Sequence, residues 1–173
     1  LSRVLVTSPE SLKLRQSLIG SREKISIEKA NGLITASVVV RDVKPHRKWP
    51  VATDPALPVM PMLEYGTARS WADVAKAYSE AVDAELASFD AKAIVARETA
   101  GETVPKKKLD RLLAYLHREV RYTGLELGER SIIPASPKDT LARHYGDCKD
   151  KATLLVGLLR AAGFDAHVAL LKT

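Results

Sequence analysis

One run of residues leaves this chain the least freedom: Gly146-Asp147-Cys148-Lys149-Asp150-Lys151-Ala152, leading into Thr153-Leu154-Leu155-Val156-Gly157-Leu158-Leu159-Arg160-Ala161-Ala162-Gly163. Ala152, Leu155, Leu158, Leu159 and Ala162 recur at helical spacing, and Gly163 supplies a stop. Asp147 suits the N-cap, and Asp150 completes an acidic variant of the capping box. Cys148, the only cysteine, then falls at the first helical position. There a thiolate faces unpaired backbone N–H groups and the positive end of the helix dipole, and both favour the anion. The same N–H groups are candidates to stabilise an oxyanion on an attacked carbonyl.

A lone cysteine is more often a small buried hydrophobe. Its neighbours here, Gly146, Asp147, Lys149, Asp150 and Lys151, suit a polar helix mouth better than a core. Asp147 and Asp150 read as helix caps. Lys149 and Lys151 read as surface charges that also favour the thiolate.

These residues, with Leu154-Leu155 and Leu158-Leu159-Arg160-Ala161-Ala162-Gly163, resemble the cysteine helix of bacterial transglutaminase-like proteins, a family of the papain-like thiol fold group. The upstream Val120-Arg121-Tyr122-Thr123-Gly124-Leu125-Glu126-Leu127-Gly128, then Pro134, Pro137 and Leu141-Ala142-Arg143, resemble that family's run-up. The likeness is strong over residues 105–173 and weaker over 70–104. Before that it points to a β-rich domain of unknown function that often precedes such cores in exported bacterial proteins. The resemblance implies a cysteine nucleophile at Cys148, a protein or peptide substrate, and a periplasmic or cell-envelope location. It implies no cofactor and no metal site.

Read in order, residues 1–67 are β-rich. Val4 and Val6 alternate, as do Leu12 and Leu14, with Ser8-Pro9-Glu10 as a turn between them. Ile25 and Ile27 alternate, Asn31-Gly32 is a turn dipeptide, and Ile34 to Val40 is a β-branched run, which together predict a hairpin. Pro45, Pro50, Pro55, Pro58 and Pro61 predict an extended connection with the last edge strand. A helix is expected from Ser70, with Val74, Ala77, Tyr78, Ala81, Val82 and Leu86 as its apolar face and Trp71 and Tyr78 as core anchors. Residues 91–96 continue it or form a second short helix, broken by Gly101.

Pro105 suits the first turn of the next helix, whose core face is Leu109, Leu112, Leu113, Leu116 and Val120. His117 lies beside that stripe and reads as structural or exposed. Residues 125–137 form a loop that passes close to the cysteine helix, with Tyr122 a candidate to line the cleft. A short helix over Pro137 to Tyr145 follows. Residues 165–172 read as a strand, from the alternation of Ala166, Val168 and Leu170. The fold class is α+β: a β-rich piece at 1–68, partial and ending in the proline-rich connection, and the helical half of a transglutaminase-like core at 69–173.

A cysteine nucleophile needs a base, usually His, oriented by Asp or Asn. The helix from Cys148 to Ala162 is about 21 Å long, and a returning strand recovers only about 7–10 Å by His167. His167 is therefore a poor base. His144 is near in sequence but lies on the run-up rather than across a cleft. The family takes its His and Asp from strands beyond 165–172, so the resemblance implies a nucleophile position without its partners in this chain. Together with a start at Leu1, this predicts either a piece of a longer protein or an inactive relative.

Composition narrows the remaining classes. With 173 residues, 46% of them hydrophobic, the chain can bury a core. It has no apolar run long enough for a membrane span and no paired CxxC motifs for zinc. The net charge of +6 gathers partly at Lys44, His46, Arg47, Lys48 and at Lys106-Lys107-Lys108. The last three open a helix and read as a solvated face. With aromatic residues at 5% and no binding signature, nucleic acid is not indicated as a partner. By the resemblance, the expected function of the intact parent is thiol acyl transfer on protein carboxamide or peptide bonds, with this chain alone, lacking its His and Asp, expected to be inactive. The competing reading is a non-catalytic cell-envelope interaction module with a structural cysteine.

Overall fold

The computed structural model describes residues 1–41, 61–124 and 131–171, and divides the chain into two compact units, residues 1–71 and 72–172. The first unit is all β. Strand β1 (Ser2–Pro9) pairs antiparallel with β4 (Leu33–Val40), which pairs in turn with β3 (Ser26–Ala30). A second ladder joins β2 (Arg15–Ile19) to β5 (Met62–Gly66), antiparallel, with Leu18 opposite Leu63. The predicted hairpin is present. Ala30 faces Leu33 across Asn31 and Gly32, whose φ values of 52° and 74° suit a type I′ turn.

The alternation at Leu12 and Leu14 misled. Leu12 ends a 3-10 turn over Glu10–Leu12, closed by Lys13 in the left-handed region, and β2 begins only at Arg15. Of the turn residues, Ser8 and Pro9 end β1 and Glu10 starts a short helix, which takes up the leucine that a strand would have used. The proline-rich expectation falls largely on 42–60, outside the described residues; β5 follows directly. Val6, Ala36 and Val38 of the three-stranded sheet and Leu63 and Tyr65 of the other ladder line one shallow apolar cavity with Leu14, Gln16 and Ile25.

The second unit is helical. Helices α1 (Trp71–Leu86) and α2 (Lys92–Glu98) precede α3 (Pro105–Glu119), which opens with Pro105 in its first turn. Strand β6 (Arg121–Tyr122), helix α4 (Pro137–Arg143), strand β7 (Tyr145–Gly146) and helix α5 (Cys148–Ala161) follow. The core gathers Ala91, Val95, Leu112, Tyr115, Leu116, Val120, Leu154 and Leu158, so α2, α3 and α5 share it. Among the described residues no helix is long and apolar enough to cross a membrane.

Three expectations need correction here. Leu113 is 37% exposed, while Tyr115 takes the core place, because the stripe through Leu112, Leu116 and Val120 leaves Leu113 on the flank. Trp71 is 82% exposed; it is the first residue of α1, and burial on that helix deepens only toward Val82. No strand forms over 165–171, since this extended segment has no ladder partner among the described residues. What ends α5 is a Schellman pattern. Phe164 N–H donates to the Leu159 carbonyl and Gly163 N–H to that of Arg160, with Gly163 at φ 86°.

Two features of α5 invite tests. A Cβ on Gly157 would lie 2.8 Å from Leu86 Cδ2 and 2.9 Å from Phe89 Cδ1. Gly157→Ala gains about 1 kcal/mol of helix propensity but overpacks this contact at a cost of about 1–3 kcal/mol. A net loss is therefore expected, read as a lower urea midpoint. Thr153 is fully buried and its hydroxyl has no hydrogen-bond partner among the described residues. Thr153→Val removes an unsatisfied polar atom at nearly constant volume, and should raise stability by about 1 kcal/mol.

Candidate active site

The first turn of α5 is held from several directions. Asp147 at the N-cap accepts from the N–H groups of Lys149 (3.1 Å) and Asp150 (3.2 Å) through Oδ1. Asp150 returns the favour at longer range, its Oδ2 lying 3.4 Å from the Asp147 N–H. The predicted capping box is therefore complete.

Asp150 does more than cap. Its carboxylate also accepts from Ala135 N–H at 2.7 Å and from Arg143 Nη2 at 2.5 Å. One buried carboxylate thus gathers the loop before α4, the end of α4, and the start of α5. Arg143 Nε donates to the Tyr145 carbonyl at 2.8 Å, and its guanidinium stacks over the Tyr145 ring. Gly146 is required beside this cluster, because a Cβ there would sit 2.8 Å from Asp150 Cβ and 3.2 Å from Thr140 Cγ2.

The two lysines read as surface charges are not. Lys149 is largely buried and its ammonium is paired with Asp147 Oδ2. Burial opposes its charge, but the hydrogen bond to Asp147 and the Asp147 and Asp150 carboxylates outweigh this and hold its pKa above the ordinary value. Lys151 Nζ donates to the Val120 carbonyl at 2.6 Å, capping the end of α3. Both corrections have one cause. The start of α5 is enclosed by the end of α3 and by the β6–β7 pair, so long side chains there find partners instead of water. The four charges Asp147, Lys149, Asp150 and Arg143 sum to zero, as burial demands.

The β6–β7 pair sets the approach to the thiol. Arg121 lies opposite Tyr145 and Tyr122 opposite Gly146, in parallel register. Arg121 N–H donates to the His144 carbonyl and Thr123 N–H to that of Gly146, each at 3.0 Å. Cys148 itself is exposed, one residue beyond the buried Asp147. Tyr122, the candidate cleft residue, is 59% exposed and stands across the short ladder from Gly146.

Among the described residues no histidine hydrogen-bonds to the thiol. His144 is the left-handed cap of α4, and its Nδ1 lies 3.1 Å from the Glu119 carbonyl. His167 contacts Asp165 at 2.9 Å and Arg160 at 3.4 Å. His117 is exposed. No group of three or more His, Cys, Asp or Glu able to hold a metal occurs among the described residues.

One residue that sequence reasoning assigned to the core also feels the charges of this site. Tyr78 of α1 is half-buried. Burial raises its phenol pKa, the Lys149 ammonium opposes the shift, and Cys148, Asp147 and Asp150 reinforce it. The side chain therefore lies within electrostatic reach of the first turn of α5. Periodicity placed Tyr78 on the inward face, but it carries no sign of the charged groups that act on the phenol there.

Residues 92–170 match the family model of the transglutaminase-like superfamily. Over those residues the chain is similar to a transglutaminase-like core. A crystal structure of a candidate protease from Parabacteroides distasonis aligns over 93% of this chain, with a TM-score of 0.71 and 20% identity. At that identity the likeness concerns fold. The chain spans 32% of the length of that protein, and no curated protein matches it significantly. The transglutaminase-like match takes in α2 through α5 and includes Cys148 with its whole anchoring cluster.

The anchor can be tested by a double-mutant cycle. Asp150→Asn keeps the shape but turns an amide N–H₂ toward donors, and it orphans Arg143. A loss of about 3 kcal/mol in urea unfolding is expected. Arg143→Met should cost a similar amount, and the double variant clearly less than the sum. Additive losses would show that the pair is not coupled.

Proposed function

We propose that Cys148 is the nucleophile of a thiol acyl-transfer reaction on protein carboxamide or peptide carbonyls. The observation that carries this reading is an exposed thiol on the first residue of a helix whose start is otherwise buried and fully bonded. A residue placed there only for packing would point inward. This one projects from a rigid, charge-balanced base, at the end of the helix that favours a thiolate.

In the proposed step the Cys148 sulfur attacks the carbonyl carbon, a C–S bond forms, and the amine leaves with a proton to give a thioester. An amine or water then takes the acyl group. A general base is required for both halves. His144 and His167 are each engaged elsewhere, and neither hydrogen-bonds to the thiol. In this proposal the base is a His from outside the described residues, as the sequence resemblance implies. The transglutaminase-like match and the fold shared with a candidate protease support a protein substrate. They leave transferase and hydrolase equally open. A periplasmic or envelope location belongs to this proposal and rests on the sequence resemblance.

Alkylation of Cys148 by iodoacetamide at pH 7 tests the nucleophile directly, with urea-unfolded chain as the reference. The folded thiol should react several-fold faster than the unfolded one, and Cys148→Ser should take up no label. A thiol that reacts only after unfolding would defeat the proposal and favour a non-catalytic interaction module.

A further inference from the structure

The short ladder that leads to the thiol carries one large exposed ring. Tyr122 and Gly146 are register partners in the parallel β6–β7 pair, and partners in adjacent strands send their side chains to the same face. Gly146 shows which face that is. A Cβ on it would meet Asp150 Cβ at 2.8 Å, Asp150 Oδ2 at 3.2 Å and Thr140 Cγ2 at 3.2 Å, so the face looks toward the first turn of α5. Tyr122 therefore leaves the ladder on the side where α5 begins. Its Cα lies about 5 Å from that of Gly146, and Cys148 is two residues farther along, which keeps the Tyr122 and Cys148 Cα atoms within about 12 Å. A tyrosine ring, a cysteine sulfur and a bound acyl chain fill such a gap between them. The backbone under the ring is fixed from both sides, because the Arg121 and Thr123 N–H groups each donate across the ladder at 3.0 Å.

The polar groups around the helix start are already spent. Lys149 N–H and Asp150 N–H both go to Asp147 Oδ1, so for these two amides the expectation that they await an oxyanion fails. Lys149 pairs with Asp147, Arg143 with Asp150, and Lys151 with the Val120 carbonyl. A charged group beside an attacked carbonyl would have to break one of these bonds to be recognised by these residues. An apolar group would not. The other segment tied to Asp150 is apolar on its open side too: exposed Ile132 and Ile133 run into Ala135, whose amide donates to the carboxylate. A scattered exposed tyrosine needs no explanation, but one held rigidly on the face where an exposed thiol begins its helix has a use.

We propose that the Tyr122 ring is the platform for an apolar side chain or acyl chain next to the carbonyl that Cys148 attacks. The proposal rests on the nucleophile reading above and names the substrate class at that site: acyl donors that are apolar beside the reacting carbonyl. The ring offers a flat apolar face with few rotatable bonds, so little ordering is needed to present it. It takes no part in bond making and acts only through the area it covers.

The test compares stoichiometric acylation of Cys148 by p-nitrophenyl acetate and p-nitrophenyl hexanoate. In each case the sulfur attacks the carbonyl carbon, a C–S bond forms, the ester C–O bond breaks, and p-nitrophenolate leaves with the bonding pair. Cys148→Ser supplies the blank. The ratio of the two rates cancels any general change in the thiol, and urea-unfolded chain gives the reference ratio. Each buried methylene contributes about fourfold, so partial cover of the longer chain should make the folded ratio about tenfold larger than the reference. Tyr122→Ala should return the ratio to the unfolded value, while Tyr122→Phe, which keeps the ring, should retain it. A wild-type ratio equal to the reference overturns the proposal, as does a ratio that survives Tyr122→Ala. Loss of the ratio in Tyr122→Phe overturns it as well, since the hydroxyl rather than the ring would then be responsible. A folded thiol inert to both esters and to iodoacetamide removes the nucleophile reading itself; one that alkylates but shows no chain-length preference removes the platform alone.

Discussion

The Asp150 carboxylate is the contact on which the rest of the site depends. It is 3% exposed, and a bare carboxylate so placed would be costly. Donors from three directions offset that cost: the Ala135 amide, the Arg143 guanidinium and the Asp147 amide. Each donor belongs to a different segment, so satisfying one charge also fixes three pieces of backbone. The positive end of α5 adds to the same effect. Cys148 takes no part in these bonds, which is why the thiol can be exposed while its base is rigid.

Close approach is the second constraint, and glycine supplies it twice. Gly146 lets the Asp150 and Thr140 side chains meet the backbone just before the thiol, and Gly157 lets Leu86 and Phe89 reach the α5 axis. The first contact sets the height of the helix start, and the second brings α1 alongside. A site read as one peptide run is thus assembled from segments that enclose much of the second unit.

The parts legible in sequence were those whose causes are local. A capping box declares itself through Asp147 and Asp150, a type I′ turn through Asn31-Gly32, and a helix start through Pro105, because each depends on a few adjacent residues. What escaped depends on distant partners. Lys149 and Lys151 look like solvent-facing charges until the end of α3 and the β6–β7 pair close over them. Trp71 and Tyr78 sit on the same helix, yet one is exposed and the other half-buried, since periodicity gives a face and not what covers each turn of it. The segment 165–171 alternates like a strand, but a strand needs a ladder partner, which alternation does not provide.

The parallel pairing of β6 with β7 has a kinetic meaning. It joins residues on either side of the whole loop and helix between Tyr122 and Tyr145, so chain-closure entropy must be met before its few hydrogen bonds repay it. Helices α3 and α5 are held largely by bonds within themselves and by a shared apolar core. They can persist through fluctuations that open so short a ladder. Helical content is consequently a poor witness to whether this short ladder is closed.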